Sequence, residues 1–178
     1  QTCALPIYSL AEWLGPQVKL VRAMPNTPAM IQMGATGLYA TAGVSEAEQQ
    51  LTQQVMSAAG LVLWVNDEDL LHAVTAISGS APAYFFYMLE NMIATGEKLG
   101  LTQTQATALA MQTALGSAQM ALTSHDTPAE LRRKVTSPNG TTQAAIEVMD
   151  GKKMHQIIAD AMLACEQRSR ELSQAFGK

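Results

Sequence analysis

Three long stretches without a single charge constrain this chain more than anything else. Ala23–Ser45, Leu70–Leu89 and Leu99–Ser124 contain no Asp, Glu, Lys or Arg. Across all 178 residues the charged fraction is 15%, against about 25% in an average soluble protein. Such blocks suit lipid, a protein core or a subunit interface, where charge is depleted. Leu70–Leu89 is long enough for a hydrocarbon layer roughly 30 Å thick. It nevertheless carries His72, then Ser78-Gly79-Ser80 and Pro82 at its middle, a cluster that breaks a helix. Leu99–Ser124 is rich in Thr and Gln. The expectation is therefore no membrane span, and burial of these blocks first in a core and again between subunits. A net charge of -4 lacks the basic footprint of a nucleic-acid binder. A hydrophobic fraction of 48% excludes intrinsic disorder. Two cysteines, Cys3 and Cys165, are too few for a disulfide framework, so a cytoplasmic location is the default. Residues 1–8 lack the basic start of a signal peptide.

The first seventy or so residues read as alternating α and β. Leu10 to Leu14 forms a helical turn before Gly15-Pro16, and Val18 to Met24 is an apolar run suited to a strand. Pro25 and Pro28 force a loop. Thr36 to Ala40 is a second strand, and Ser45 with Glu48 forms a capping box for a helix reaching Gly60. Leu61 to Val65 is a continuous apolar run, as expected of a strand covered on both faces. After Asn66 the strands stop. Asn66-Asp67 caps a short helix through Val74, and Pro82 begins another running to Gly100. Thr102 with Gln105 opens a helix to about Ser124, and Thr127-Pro128-Ala129-Glu130 is a further helix start. A last helix runs from about Lys153, with Met154, Ile157, Ile158, Ala161, Cys165 and Leu172 on one face. The predicted fold class is α/β followed by all-α: the C-terminal part of a Rossmann-like doubly wound sheet, then a helical dimerisation domain. The boundary falls between residues 68 and 69.

Three loops could carry chemistry. Ser137-Pro138-Asn139-Gly140-Thr141-Thr142 leads into a helix that Thr141 can cap. Backbone N–H groups at a helix start, joined by Ser and Thr hydroxyls, suit a carboxylate or phosphate. A plain structural turn is the alternative. Met24-Pro25-Asn26-Thr27 follows a strand, and ligands of open α/β sheets sit beyond the C-terminal ends of strands. That makes Asn26 and Thr27 candidates to hydrogen-bond a cofactor, with a rigid proline turn as the other reading. Ser78-Gly79-Ser80-Ala81-Pro82-Ala83-Tyr84 could admit a ligand to the backbone, though a tight inter-helix connection is the simpler account. His72, His125 and His155 have no metal-ligand spacing, so no metal is expected. No nucleophile elbow and no G-x-G-x-x-G occurs in the chain.

Taken together, VRAMPNTPA (residues 21–29), AISGSAPAYFF (76–86), EKLGL (97–101) and above all LRRKVTSPNGTTQAAIEVM (131–149) resemble pyrroline-5-carboxylate reductase, which makes proline. The resemblance runs from about Leu10 to Leu172 and implies a fragment. The family's glycine-rich turn would lie upstream of Gln1, and residues 1–8 do not match the family's segment there. Residues 1–68 would be the end of the NAD(P)-binding domain, and residues 69–178 the helical dimerisation and substrate-binding domain. By position, the resemblance implies that Ser137, Asn139, Gly140, Thr141 and Thr142 hold the substrate carboxylate, with Thr142 at the ring nitrogen as the catalytic residue. It implies that Met24, Pro25, Asn26 and Thr27 lie beside the nicotinamide of NADPH or NADH, and that the chain forms a homodimer or a higher oligomer. Ala81 and Asn139 stand where the family often has glycine. Asn tolerates positive φ, whereas Ala81 adds a methyl at a close approach. Some relatives have a glutamate behind the threonine, and the sequence Ser124-His125-Asp126 does not say which residue takes that role here.

The implied reaction is hydride transfer to the C=N bond of 1-pyrroline-5-carboxylate, giving L-proline, by an oxidoreductase acting on CH–NH. An iminium is already electrophilic, so orientation is the protein's main task. Two rivals stand beside it. A hydroxyacid-type dehydrogenase of the same architecture would need a lysine acid, and Lys98 and Lys134 lack a supporting pattern. A non-catalytic helical dimerisation fragment is the other, because the glycine-rich turn is missing.

Overall fold

The computed structural model describes residues 5–15 and 17–176. Cys3, Pro16 and the first four residues of the opening segment lie outside the described residues. The chain divides into two compact units, residues 1–83 with 159–178 and residues 84–158.

The first unit is built on a three-stranded sheet. It comprises β1 (Val21–Met24), β2 (Gly34–Ala40) and β3 (Gly60–Trp64), in that order. Loop length decides their directions. A parallel pair needs a crossover of roughly a dozen residues or more. Between β1 and β2 stands only a 3₁₀ turn, Thr27–Ile31, closed by Gln32 in the left-handed conformation at φ 61°. So β2 returns antiparallel, with Val21 opposite Ala40 and Met24 opposite Gly37. The helix α2 (Glu46–Ser57) supplies a true crossover, and β3 lies parallel to β2 with Gly34 opposite Gly60. Before the sheet, α1 (Ile7–Leu14) is somewhat longer than the turn expected at Leu10 to Leu14.

The sheet is covered where α3 (Leu70–Val74) crosses β2. Gly37 makes that possible, because a Cβ there would fall within 2.8–2.9 Å of the Val74 methyls. Leu38 and Leu71 are the largest side chains fully buried, with Val62 and Ala76 close to the same state. One expectation fails at β3. Its apolar run predicts cover on both faces, but Leu61 and Leu63 are 59% and 60% exposed while Val62 between them is buried. Side chains alternate across a strand, and α3, which covers that face at Gly37 of β2, leaves Leu61 and Leu63 of β3 largely open.

A second expectation fails just after α3. The Ser78-Gly79-Ser80 stretch predicts a helix-breaking loop, yet Thr75–Gly79 continues α3 as a π turn. The Ser80 N–H donates to the Thr75 carbonyl at 2.8 Å. The Thr75 and Ser78 hydroxyls donate to the carbonyls of Leu71 and Val74, four residues back. Pro82 then falls in the first turn of α4 (Ala81–Lys98), where its missing N–H is no loss.

The second unit holds most of α4, then α5 (Gln103–Thr123), α6 (Pro128–Lys134) and α7 (Thr141–Gly151), and receives the start of α8 (Met154–Phe176). Capping boxes open α2, α5 and α6 at Ser45, Thr102 and Thr127, each where the sequence places one. Within this unit Gly96 of α4 lies against Ala106 of α5, where an added Cβ would meet the alanine methyl at 3.0 Å. The larger residues of α5, among them Leu109, Met111, Leu115 and Leu122, remain exposed. The predicted apolar face of α8 also differs. Ile157 and Ile158 are exposed, and the residues of α8 that bury are Ser169 and Ser173, in the part belonging to the first unit. No described helix is long and apolar enough to cross a membrane.

Candidate functional site

The loop between α6 and α7 has the chemistry of an anion receptor. α6 ends on Arg132, Arg133 and Lys134, and α7 begins one short turn later. Asn139 adopts φ 60°, which turns the backbone sharply before the helix. Sequence reading expected Thr141 to cap α7. Instead Gly140 occupies the N-cap, without a side-chain cap, and Thr141 is the first helical residue. The reason is the turn itself: the Gly140 N–H donates to the Ser137 carbonyl at 3.0 Å, drawing residue 140 to the helix entrance.

Besides the Gly140 N–H, a second backbone donor of the loop is engaged, and α7 holds its acceptor. The Asn139 N–H donates to Gln143 Oε1 at 2.7 Å, and Gln143 Nε2 donates to Glu147 Oε1 at 2.6 Å. The remaining donors point elsewhere. Thr141 and Thr142 sit in the first turn, whose N–H groups have no helical carbonyl to meet. Among the described residues the Ser137, Thr141 and Thr142 hydroxyls make no hydrogen bond, and all three residues are exposed. Helix-start N–H groups, free hydroxyls and two exposed arginines favour a small anion. Lys134 is less available, because its Nζ is 2.5 Å from Asp126 Oδ2. That pairing holds the Asp126 carboxyl below the usual carboxylate range. Gln143 and Glu147 were not singled out from the sequence. The available signal was a glutamine at the third helical position, where side chains reach back to orphan N–H groups.

In the first unit the Met24–Thr27 loop leaves the carboxyl end of β1. Its neighbour is the π turn. Asn26 Nδ2 donates to the Ser78 carbonyl at 3.1 Å, and Asn26 Oδ1 accepts from the Ala35 N–H at 2.8 Å. Met24 lies over Gly79, where an added Cβ would come within 2.5 Å of its terminal methyl. Two of the three loops singled out in sequence thus meet here. Thr27 is exposed with an unengaged hydroxyl, and Met30, Ile31 and Met33 stand exposed beside it. Ser80 Oγ accepts from Cys165 Sγ at 3.2 Å.

A charged cluster lies on the same unit. Arg22 is 7% exposed, and its guanidinium meets Glu68 at 2.6 Å; the same carboxylate accepts from the Ile7 N–H. Arg170 pairs with Asp69 at 2.8 Å and with Glu166. His72 Nδ1 lies 2.8 Å from Ser169 Oγ. Arg22, Glu68, Asp69, His72 and Arg170 line a cleft of about 280 Å³ with Tyr8 and Gln174. Among the described residues no group of His, Cys, Asp and Glu is placed to hold a metal.

A short mixed sheet with a strand-end loop, followed by a helical region bearing an anion-receptive helix start, defines an α/β protein with an appended all-helical part. Residues 68–172 match the family model described as pyrroline-5-carboxylate reductase dimerisation. The chain belongs to the pyrroline-5-carboxylate reductase family. It is 51% identical to pyrroline-5-carboxylate reductase of Pseudomonas aeruginosa over 98% of this chain and 64% of that protein. With the reductase of Haemophilus influenzae identity is 44%, over 90% and 60% of the two chains. Among solved structures, the reductase of Coxiella burnetii superimposes with a TM-score of 0.92 at 41% identity, covering 96% of this chain and 63% of that one. Plasmodium falciparum pyrroline carboxylate reductase with NADP bound gives 0.89 at 26% identity, covering 96% and 67%. The chain therefore spans under two thirds of the length of these two curated relatives.

Proposed function

We propose that this chain contributes the substrate-binding and dimerising part of an NAD(P)H-dependent reductase that converts 1-pyrroline-5-carboxylate to L-proline in the cytoplasm. Residues 1–68 serve as the end of the dinucleotide domain and residues 69–178 as the helical domain. The observation that carries this reading is the set of unengaged hydroxyls at Ser137, Thr141 and Thr142 beside the first-turn N–H groups of α7, in a chain belonging to this family. Ser137, Asn139, Gly140, Thr141 and Thr142 form the carboxylate cradle. Gln143 and Glu147 keep the Asn139 backbone in its left-handed turn.

The Met24–Thr27 loop supplies the nicotinamide side. The exposed Thr27 hydroxyl and the apolar rim of Met30, Ile31 and Met33 fit a flat ring bearing a polar amide. The chain contains no G-x-G-x-x-G, so the residues present fit that end of the dinucleotide and not its pyrophosphate. When bound, NAD(P)H supplies the hydride that forms the new C–H bond at the C=N carbon. The cradle's task is to fix the ring by its carboxylate, so that one face meets the hydride donor. Thr142 bonds the ring nitrogen. As the C=N π pair moves onto that nitrogen it is held there by a proton taken from solvent. A hydroxyacid dehydrogenase reading is less well supported, because Lys134 is already held by Asp126.

Thr142→Ala tests the assignment. In a full-length reductase carrying these residues, kcat/KM for 1-pyrroline-5-carboxylate should fall about 10–100-fold, the scale of one hydrogen bond to a charged group. Steady-state kinetics at saturating NADPH measures it, and wild-type values would remove Thr142 from the site.

A further inference from the structure

We infer that Asn26 is a positioning residue for hydride transfer, acting as a clamp that fixes the Met24–Thr27 loop against the π turn at Thr75–Gly79. The inference rests on the functional reading above and deepens its cofactor side. Asn26 occupies the N-cap of the 3₁₀ turn Thr27–Ile31, yet its side chain makes no cap hydrogen bond. Asparagine at that position ordinarily accepts from the turn's own N–H groups. Here the backbone carbonyl of Asn26 alone receives the Ala29 N–H at 3.1 Å, which frees the amide for longer reach. One end of it accepts from Ala35 at the start of β2, and the other donates to the Ser78 carbonyl, 52 residues away in sequence.

The acceptor explains the pairing. In a π turn the hydrogen bonds span five residues, so the register of carbonyls shifts and some lose their usual partner. Ser78 sits in that shifted stretch, and its carbonyl receives the Asn26 amide. A second contact keeps the same spacing: Met24 fills the space over Gly79 that any side chain would take. One hydrogen bond and one packing contact thus set where the loop stands, from residues 24 and 26 on its two sides. The backbone of Pro25 and Thr27 is thereby held at a fixed height above the carboxyl end of β1. In a reaction governed by donor–acceptor distance, misplacement of about 1 Å can lower the rate roughly 100-fold.

Two variants release the clamp from opposite sides. Asn26→Asp keeps the acceptor for Ala35 but replaces the donor to Ser78 with an oxygen. Gly79→Ala pushes the Met24 methyl outward. The first readout needs no cofactor: with methyl-labelled methionine, the wild-type chain should show a nuclear Overhauser contact between the Met24 methyl and the Gly79 α-protons. That contact should weaken in Asn26→Asp, and the Met24 methyl resonance should shift in Gly79→Ala. In a full-length reductase carrying these residues, both variants should lower kcat about 10–100-fold. The deuterium isotope effect from NADPH labelled at the transferred position should rise, and KM for 1-pyrroline-5-carboxylate should stay within about twofold. Folded variants that lose the contact but keep wild-type kcat and isotope effect would overturn the inference, as would absence of the contact in the wild type. Should one variant fail to fold, the other decides. A wild-type enzyme that reduces no 1-pyrroline-5-carboxylate instead sinks the functional reading, and with it the catalytic part of this one, while the Overhauser contact still tests the clamp.

Discussion

His72 shows what surroundings do to one residue. It is 5% exposed on α3, and its ring meets Ser169 of α8. Burial pushes its pKa below the ordinary 6.5, and the positive charges of Arg170 and Arg22 push the same way, opposed by Asp69 and Glu166. The folded state therefore prefers the neutral ring. Its contribution is fully present above the unfolded value and is lost as pH falls through the depressed folded value. Thermal unfolding of the wild type should show a lower Tm as pH drops below about 6.5, and His72→Gln, which can keep the Ser169 bond, should flatten that limb. Its place on a helix next to apolar residues is legible in the sequence. The partner is not, because Ser169 lies 97 positions further on. Asn26 is the same case. The sequence offered its amide to a cofactor, whereas both ends of that amide are engaged within the fold, by Ala35 and by the Ser78 carbonyl, which could not be named without it.

Helix starts are the elements read most completely from sequence. Ser45 with Glu48, Thr102 with Gln105 and Thr127 with Glu130 each close a reciprocal pair of hydrogen bonds. Partners three residues apart meet whenever the turn forms, so no tertiary information is needed. Thr102→Ala should lower unfolding stability by about 1 kcal/mol, measured by chemical denaturation. Glu48 adds a tertiary contact to its box. Hydrogen bonds from Lys19 and Ser45 bring its carboxyl down to about 2, so this cap contributes above about pH 4.5 and fades as pH falls toward 2. Between α3 and α4, local reading failed for a physical reason. Serine, glycine and proline are helix breakers in isolation, but the Ser78 and Thr75 hydroxyls bond back to the helix. Gly79 is there because Met24 needs its space.

At the scale of the whole molecule, the uncharged helix α5 is the clearest signal. Ala106 and Ala110 are buried, while Met111, Leu115 and Leu122 are exposed along one flank. An apolar flank exposed in one chain suits a second copy of the same chain, in keeping with the dimerisation domain matched over residues 68–172. Leu115→Lys with Leu122→Lys should weaken self-association, as read by sedimentation velocity, with the helical circular dichroism retained. The sheet supports a second expectation. The 178 residues contain no G-x-G-x-x-G, so by calorimetry this chain should bind NADPH more weakly than micromolar.

What the sequence determined by itself is the reciprocal caps that open α2, α5 and α6, the existence of the three strands, and the avoidance of charge where surfaces are to be covered. It also placed the Ser137–Thr142 loop before a helix, because Pro138, Asn139 and Gly140 are local turn chemistry. Only the tertiary structure decided which donors of that loop are engaged, which face of β3 is covered, and what Asn26 and His72 touch. Those contacts join residues tens of positions apart, and their geometry exists only after the chain between them has folded.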